Sequence, residues 1–195
     1  MRILTLGSSS KSLHSMLDSH EILHLEAPLT LALVESFDPD LVISFGYRHI
    51  VRPRILESLG NKILNLHISY LPWNRGADPN FWSWLENTPK GVTIHLMDAG
   101  LDTGAILFQK EVQFNDSETL ASSYEILQAE IVDLFQNNLE HILNLDFDPK
   151  PQEIDAGSNH KSADKQEYFE ALPKGWQTKC SDIARLETNF DRKVN

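Results

Sequence analysis

Three polar residues, Asn65, His67 and Asp102, have the side-chain chemistry that transfer of an acyl group to an amine requires. Such a transfer needs a donor that polarises the carbonyl, a group that stabilises the anionic tetrahedral intermediate, and an acceptor for the proton of the attacking nitrogen. The amide of Asn65 can supply the first two. The imidazole of His67 can donate to the oxyanion or accept the proton, and Asp102 can orient that imidazole and raise its basicity.

Asn65 and His67 lie two positions apart in an apolar run, residues 63–68, and therefore share one face of a predicted strand. Asp102 lies in a predicted loop, residues 98–104, that contains two glycines and two aspartates. A histidine in an apolar strand is more often a hydrogen-bonded core residue than a catalytic one. The Asn-x-His spacing alone is therefore weak evidence for a site.

Hydrophobic patterning and turn residues predict an α/β fold in which strands alternate with short helices. This order is typical of a mainly parallel sheet with helices on both faces, and ligands bind such sheets at the ends of the strands. Strands are predicted at residues 3–6, 22–25, 41–45, 63–68, 92–97 and 105–114. Helices are predicted at residues 11–19, 29–37, 54–59, 81–86 and 117–145.

The composition is typical of a globular protein, with 41% hydrophobic and 23% charged residues among 195. The formal net charge of -11 opposes binding to a phosphate backbone, since nucleic-acid affinity comes largely from Lys and Arg. No apolar run reaches the roughly 18 residues of a membrane span, and the N-terminus is unlike a secretory signal. A lone cysteine, Cys180, allows no internal disulfide, and we expect an inert thiol. The sequence thus predicts a cytoplasmic protein with no nucleic-acid or membrane partner.

A longer ordered pattern surrounds the three polar residues. Its parts are residues 65–72 (Asn-Leu-His-Ile-Ser-Tyr-Leu-Pro), the pair Arg75-Gly76, residues 91–95 (Gly-Val-Thr-Ile-His) and residues 100–104 (Gly-Leu-Asp-Thr-Gly). Over roughly residues 38–114, this pattern closely resembles the 10-formyltetrahydrofolate-dependent formyltransferase family. That family includes methionyl-tRNA formyltransferases, glycinamide ribonucleotide transformylases and nucleotide-sugar N-formyltransferases. The resemblance implies a Rossmann-like formyltransferase fold, with a catalytic domain at residues 1–145 and a short C-terminal extension, residues 146–195, packed on the core.

The resemblance also implies roles for particular residues. It matches Asn65, His67 and Asp102 to the family's catalytic residues and implies 10-formyltetrahydrofolate as cosubstrate, with no metal. Two stretches are similar to the walls of the family's pterin pocket, namely Ser44, Phe45, Gly46 and Tyr47 and, opposite them, Asp98, Ala99, Gly100 and Leu101. Without the resemblance, these stretches are simply a buried strand end and a tight turn. Two others resemble acceptor-binding regions, namely Gly7, Ser8 and Ser9, and Arg75, Gly76 and Asp78.

Two further groups of residues allow more than one interpretation. A basic cluster can hold the folate's glutamate tail or an acceptor's phosphate, or can be solvated surface charge; its members are Arg48, His49, Arg52 and Arg54. Four aromatic residues can stack on a base or a sugar, although aromatic residues beside a short helix more often belong to a core; these are Trp73, Phe81, Trp82 and Trp84.

The size of the chain guides the expected acceptor. Only 64 residues precede Asn65, so the N-terminal part is shortened relative to the family. The residues after Phe114 leave no room for the large C-terminal domain that helps methionyl-tRNA formyltransferases hold tRNA. We therefore expect formyl transfer to a small primary amine, an amino sugar on a nucleoside diphosphate, and a homodimer is compatible with the sequence. Other small amines such as glycinamide ribonucleotide, hydrolysis of 10-formyltetrahydrofolate, and a folate- or nucleotide-binding module without turnover stay open as alternatives.

Overall fold

The computed structural model describes residues 1–115, 117–172 and 174–183. Contacts along the chain divide these residues into two compact units. The first unit consists of Met1–His67, Thr93–Phe108 and Ile131–Gln152, and the second of Ile68–Val92, Gln109–Glu130 and the described residues from Glu153 onwards. The predicted boundary at residue 145 falls inside the first unit, and the division into a catalytic domain and an extension stays a prediction.

A six-stranded sheet is the main feature of the fold. Its strand order is β2-β1-β3-β4-β6-β7, and a separate two-stranded sheet pairs β5 with β8. The four strands β2, β1, β3 and β4 are mutually parallel, while β6 is antiparallel to β4. The predicted mainly parallel sheet is therefore confirmed. The strands are β1 (Arg2–Leu6), β2 (Glu21–Leu25), β3 (Leu41–Phe45), β4 (Ile63–His67), β5 (Arg75–Gly76), β6 (Gly91–Leu96), β7 (Ile106–Glu111) and β8 (Asn159–His160).

α-Helices and short 3-10 helices lie between the described strands and after the last of them. The α-helices are α1 (Leu31–Phe37), α2 (Pro53–Leu59), α3 (Pro79–Leu85), α4 (Leu120–Asn137), α5 (Leu139–Leu143) and α6 (Gln166–Glu170). The 3-10 helices are Ser8–Met16, Gly60–Lys62, Ile154–Ala156 and Gly175–Gln177. None of the helices in the described residues has the length and apolar character that crossing a membrane requires.

Two helix predictions were wrong for the same physical reason, which is competition from polar side chains for backbone groups. The predicted helix at residues 11–19 is instead the 3-10 helix Ser8–Met16, in which Ser10 and Ser12 donate to backbone carbonyls three positions earlier. The predicted helix at residues 117–145 begins only at Leu120 and breaks at Asn138. The Asn138 side chain donates to Leu134 O at 2.8 Å, at the junction of α4 and α5.

The hydrophobic core of the first unit forms where α1 and α2 cover one face of the sheet. Leu4, Val42 and Ile63 project from three adjacent strands into this core. Val34 of α1 and Ile55 of α2 pack in the same cluster. Thr30 caps α1 by accepting a hydrogen bond from Leu33 N, and Pro53 starts α2, where its missing N–H costs nothing.

The second unit has its own core around α3. Phe81 and Trp82 are buried together with Leu85, Leu120 and Leu172, so these two aromatic residues are core residues. Cys180 is also buried in this unit. Burial raises the pKa of its thiol to about 11, which supports the expectation of an inert cysteine because the thiolate is the reactive form.

A polar network in the second unit centres on Glu86, the residue that follows α3. Its carboxylate accepts from Asn74 Nδ2 and Ser158 Oγ, each at 3.0 Å, and lies 2.9 Å from His160 Nε2. Burial by itself raises the pKa of Glu86, but the hydrogen bonds and the His160 charge outweigh that effect and hold the pKa below its ordinary value. The His160 ring also stacks on Trp82 at 3.9 Å. The ionised carboxylate therefore ties the segment around β8 to α3.

We expect Glu86→Gln to lower the free energy of unfolding by about 1–3 kcal/mol at pH 7, because charged hydrogen bonds are lost inside the protein. A carboxylate with a depressed folded-state pKa stabilises above its unfolded pKa, and that stability disappears as pH falls through the folded value. The difference between wild type and variant should therefore shrink below about pH 4. Urea denaturation at several pH values measures it. The exposed Glu167→Gln change is the control, and an equal loss in both variants would contradict the network's role.

Candidate active site

The loops after β1 and β3 meet at the position in the sheet where successive strands are added on opposite sides of β1. β2 lies on one side of β1, and the next strand, β3, lies on the other side. The gap between β1 and β3 is therefore the topological switch point of the sheet. Such positions are where open α/β sheets bind ligands. Gly7 follows β1 and Gly46 follows β3, and both have positive φ angles, of 89° and 67°.

The two glycines allow these loops to pack closely. A Cβ added to Gly7 would lie 2.5 Å from both Phe45 O and Tyr47 N, and one added to Gly46 would lie 2.6 Å from Ser9 Oγ. The loop predicted to contact the acceptor and the loop predicted to hold the pterin are therefore in direct contact.

Asn65 and His67 lie in β4, of which His67 is the last residue, and share one face of the strand, as its alternation predicts. The antiparallel pairing with β6 places His95 directly opposite Asn65. His67 and His95 are both buried, and their rings lie edge to face with centroids 6.2 Å apart. Two imidazoles and one amide thus occupy a single end of the sheet.

Asp102 completes a four-residue polar cluster with Asn65, His67 and His95. Its Oδ1 atom lies 3.4 Å from Asn65 Nδ2 and 3.5 Å from His95 Nε2. Its Oδ2 atom lies 3.7 Å from His67 Nε2, within ion-pair distance but longer than a hydrogen bond. A carboxylate beside His67 can stabilise the imidazolium that forms when this ring receives a proton during a reaction.

The loop that carries Asp102 is held by side chains on both flanks. Asp98 Oδ1 accepts from Gly100 N at 3.0 Å and from Thr103 Oγ1 at 2.7 Å. From the other side, Gln152 Nε2 donates to the backbone oxygens of Asp102 at 2.9 Å and Gly104 at 2.6 Å. Asp102 itself has a φ angle of 52°, in the left-handed region. These contacts fix the backbone from which the carboxylate projects.

Sequence reasoning missed two members of this arrangement. His95 is the last residue of the motif at residues 91–95, but only the register between β4 and β6 shows that it lies opposite Asn65. Gln152 lies 50 positions after Asp102, and no local pattern around it indicates the contact.

The residues of the predicted pterin pocket all belong to the first unit. Ser44 and Phe45 are buried at the end of β3. The Tyr47 hydroxyl donates to Ala27 O at 2.9 Å and accepts from Leu29 N at 2.7 Å, and burial raises its pKa. This hydroxyl therefore anchors the loop after β2. On the other side Asp98, Ala99, Gly100 and Leu101 are exposed, and pterin binding by these residues stays a prediction.

The other predicted acceptor residues belong to the second unit. Arg75 is buried, and its guanidinium donates to the backbone oxygens of Ser158 and Ile154 at 3.3 and 3.4 Å. Gly76 pairs with His160 in the small sheet, and Asp78 forms a 2.6 Å ion pair with Lys165. These contacts give Arg75 and Asp78 structural roles, and their contact with an acceptor stays a prediction.

The predicted basic cluster lies in the first unit, between β3 and the first turn of α2. All four of its side chains are exposed to solvent, namely Arg48, His49, Arg52 and Arg54. This exposure is compatible with binding to an anion and also with solvated surface charge.

The mainly parallel sheet, the glycine contact at its reversal point and the polar cluster at the end of β4 define a Rossmann-like enzyme scaffold. Residues 24–137 match the formyl transferase family. The chain belongs to this family.

Individual relatives show how far the likeness extends. The chain is 42% identical to the formyltransferase PseJ from Anoxybacillus kamchatkensis, over 94% of this chain and 97% of that one, with a TM-score of 0.89. A 4-N formyltransferase from Francisella tularensis shares the fold, with 22% identity, a TM-score of 0.71, and coverage of 86% of this chain and 79% of that one. Methionyl-tRNA formyltransferase from Clostridium novyi is 34% identical over 127 residues, which are 65% of this chain and 41% of the relative. The chain thus spans about two fifths of the length of that curated relative.

We expect Gly7→Ala to destabilise the protein by about 2–4 kcal/mol, because alanine avoids this backbone conformation and its Cβ would meet fixed backbone atoms. Gly46→Ala should cost about 1–2 kcal/mol, since the left-handed conformation is unfavourable and the added Cβ would meet only the Ser9 side chain, whose hydroxyl can rotate and whose Cβ needs a small shift. Gly60→Ala is the control, because Gly60 also has positive φ but has no atom within 4 Å of an added Cβ. Urea denaturation compares all three, and equal losses for Gly7 and Gly60 would contradict the close packing of the loops.

Proposed function

We propose that this protein transfers a formyl group from 10-formyltetrahydrofolate to the amino group of a nucleotide-linked amino sugar. The observation that carries the proposal is the 42% identity to PseJ over nearly the whole of both chains. That PseJ structure holds UDP-4,6-dideoxy-4-formamido-L-AltNAc and tetrahydrofolate, which are a formylated sugar nucleotide and a folate without its formyl group. A UDP-linked amino sugar is therefore the first acceptor to test.

The polar cluster suits each step of this reaction. The neutral amine attacks the formyl carbon, a carbon–nitrogen bond forms, and the carbonyl oxygen gains negative charge. The amide of Asn65 and the imidazole of His67 are the donors that can stabilise this oxyanion at the end of β4. His67 can also accept the proton from the attacking nitrogen and return it to N10 of the folate as the bond from N10 to the formyl carbon breaks.

Asp102 has an electrostatic role in this mechanism. Its carboxylate lies 3.7 Å from His67 Nε2 and stabilises the imidazolium that forms when the proton moves. The bonds from Gln152 to the backbone of Asp102 and Gly104 hold the carboxylate in place before substrate arrives. Such preorganisation lowers the reorganisation that the transition state requires.

An acceptor comparison tests the proposal. The purified protein is incubated with 10-formyltetrahydrofolate and, separately, a UDP-linked 4-amino sugar, glycinamide ribonucleotide or methionyl-tRNA. Tetrahydrofolate is followed by absorbance and the formylated product by mass spectrometry. We expect a formylated sugar nucleotide. Formate release without an acceptor would favour hydrolysis, and formylation of methionyl-tRNA alone would contradict the sugar acceptor.

We expect His67→Ala to lower kcat by roughly 10²–10⁴ while folate affinity stays near wild type, because general acid-base groups contribute about this much. Asp102→Asn should lower kcat in the same direction, since a neutral amide does not stabilise an imidazolium. The losses in the double variant should be less than additive if the two residues act as one unit. Steady-state kinetics, folate titration and melting temperature separate these effects. Near-wild-type kcat in folded His67→Ala protein would refute the mechanism.

A further inference from the structure

His95 is a buried polar residue that the mechanism above does not use. The residue is only 1% exposed, compared with 8% for His67. It lies opposite Asn65 in the pairing of β6 with β4. We propose that His95 is a positioning residue that fixes the orientation of the Asn65 amide by accepting a hydrogen bond from it. The expected effect on catalysis rests on the proposed function, whereas the contact between His95 and Asn65 is independent of it.

The tautomer of His95 follows from its neighbours. Nδ1 lies 2.8 Å from Leu96 O, and a carbonyl oxygen only accepts, so Nδ1 carries the hydrogen. In the neutral ring Nε2 then has a lone pair, and this atom lies 3.3 Å from Asn65 Nδ2. The backbone of β6 thus prepares His95 to act as an acceptor towards Asn65. A ring protonated at both nitrogens has no acceptor to offer.

With His95 neutral and its hydrogen on Nδ1, the neighbours of the Asn65 amide favour a single orientation. Its Nδ2 faces two acceptors, His95 Nε2 and Asp102 Oδ1, at 3.3 and 3.4 Å. If the amide turned over, its oxygen would face a lone pair and a carboxylate, and burying such unpaired polar groups is unfavourable. His95 and Asp102 therefore act together to set which end of the amide faces the substrate.

The consequence for catalysis is a loss of orientation rather than a loss of binding. Without an acceptor at position 95, the Asn65 amide can rotate, and its donor is misplaced for the oxyanion in part of the molecules. Small misplacements of reacting or stabilising groups cost large rate factors. Folate binding, which depends on other contacts in the proposed pocket, should change little.

Three variants on the same strand test the proposal. His95→Phe removes the acceptor but keeps a ring of similar size. His95→Gln keeps an acceptor oxygen and a donor nitrogen. Ile94→Val removes one buried methyl group from the opposite face of β6 and is the control for a weakened strand, because neighbouring residues in a strand point to opposite faces.

We expect His95→Phe to lower kcat by roughly 10- to 100-fold with KM for the folate within about twofold of wild type. His95→Gln should recover most of that loss, and Ile94→Val should keep the wild-type kcat despite a lower melting temperature. Wild-type kcat in His95→Phe would overturn the proposal, as would a loss in His95→Gln equal to that in His95→Phe.

The tautomer is tested without any acceptor or turnover. A two-bond proton–nitrogen correlation spectrum of wild-type protein labelled with ¹⁵N at neutral pH shows which ring nitrogen of each histidine carries hydrogen. The His95 signals are assigned by their loss in His95→Gln. We expect the neutral form protonated at Nδ1, and a ring protonated at Nε2 would overturn the contact. If wild type formylates none of the acceptors, the proposed function fails while this spectrum still decides the contact.

Discussion

The pairing of β4 with β6 is the interaction on which the candidate site depends. It aligns Asn65 with His95 and His67 with Thr93, and it leads directly into the loop that carries Asp102. Side chains alternate between the faces of a strand, so a shift of one residue in this register would move His95 to the opposite face from Asn65. The apolar residues Leu64, Leu66 and Ile94 of these two strands are buried, so the paired strands lie inside the protein.

The parts of the fold that depend on local pattern were predicted well. The alternation of residues 63–68 placed Asn65 and His67 on one face of a strand, and the glycines and aspartates of residues 98–104 indicated a loop. The helices went wrong where Ser10, Ser12 and Asn138 bind backbone carbonyls, because their side-chain bonds are invisible to a hydrophobic pattern. The hydrophobic pattern favours a helix there, but these local contacts shorten or interrupt it.

The parts of the site that depend on distant contacts were not predictable in this way. The position of His95 opposite Asn65 depends on the direction of β6 relative to β4. The amino-acid composition of a strand does not indicate that direction. Gln152 binds Asp102 O across 50 positions of sequence. The segment around residue 152 belongs to the first unit and supports the Asp102 loop, and its assignment to a C-terminal extension packed on the core stays a prediction. Such contacts follow from the whole fold, which local spacing does not encode.

The contact between the loops at Gly7 and Gly46 limits how this protein can be re-engineered. A Cβ on Gly7 would meet backbone atoms of the second loop, so the first loop cannot be substituted at this glycine without moving the second. A designer who wished to change the acceptor by remodelling the first loop would displace the second loop as well. Exposed positions in or beside the two predicted binding loops, such as Ser8 and Arg48, are therefore easier to substitute than Gly7.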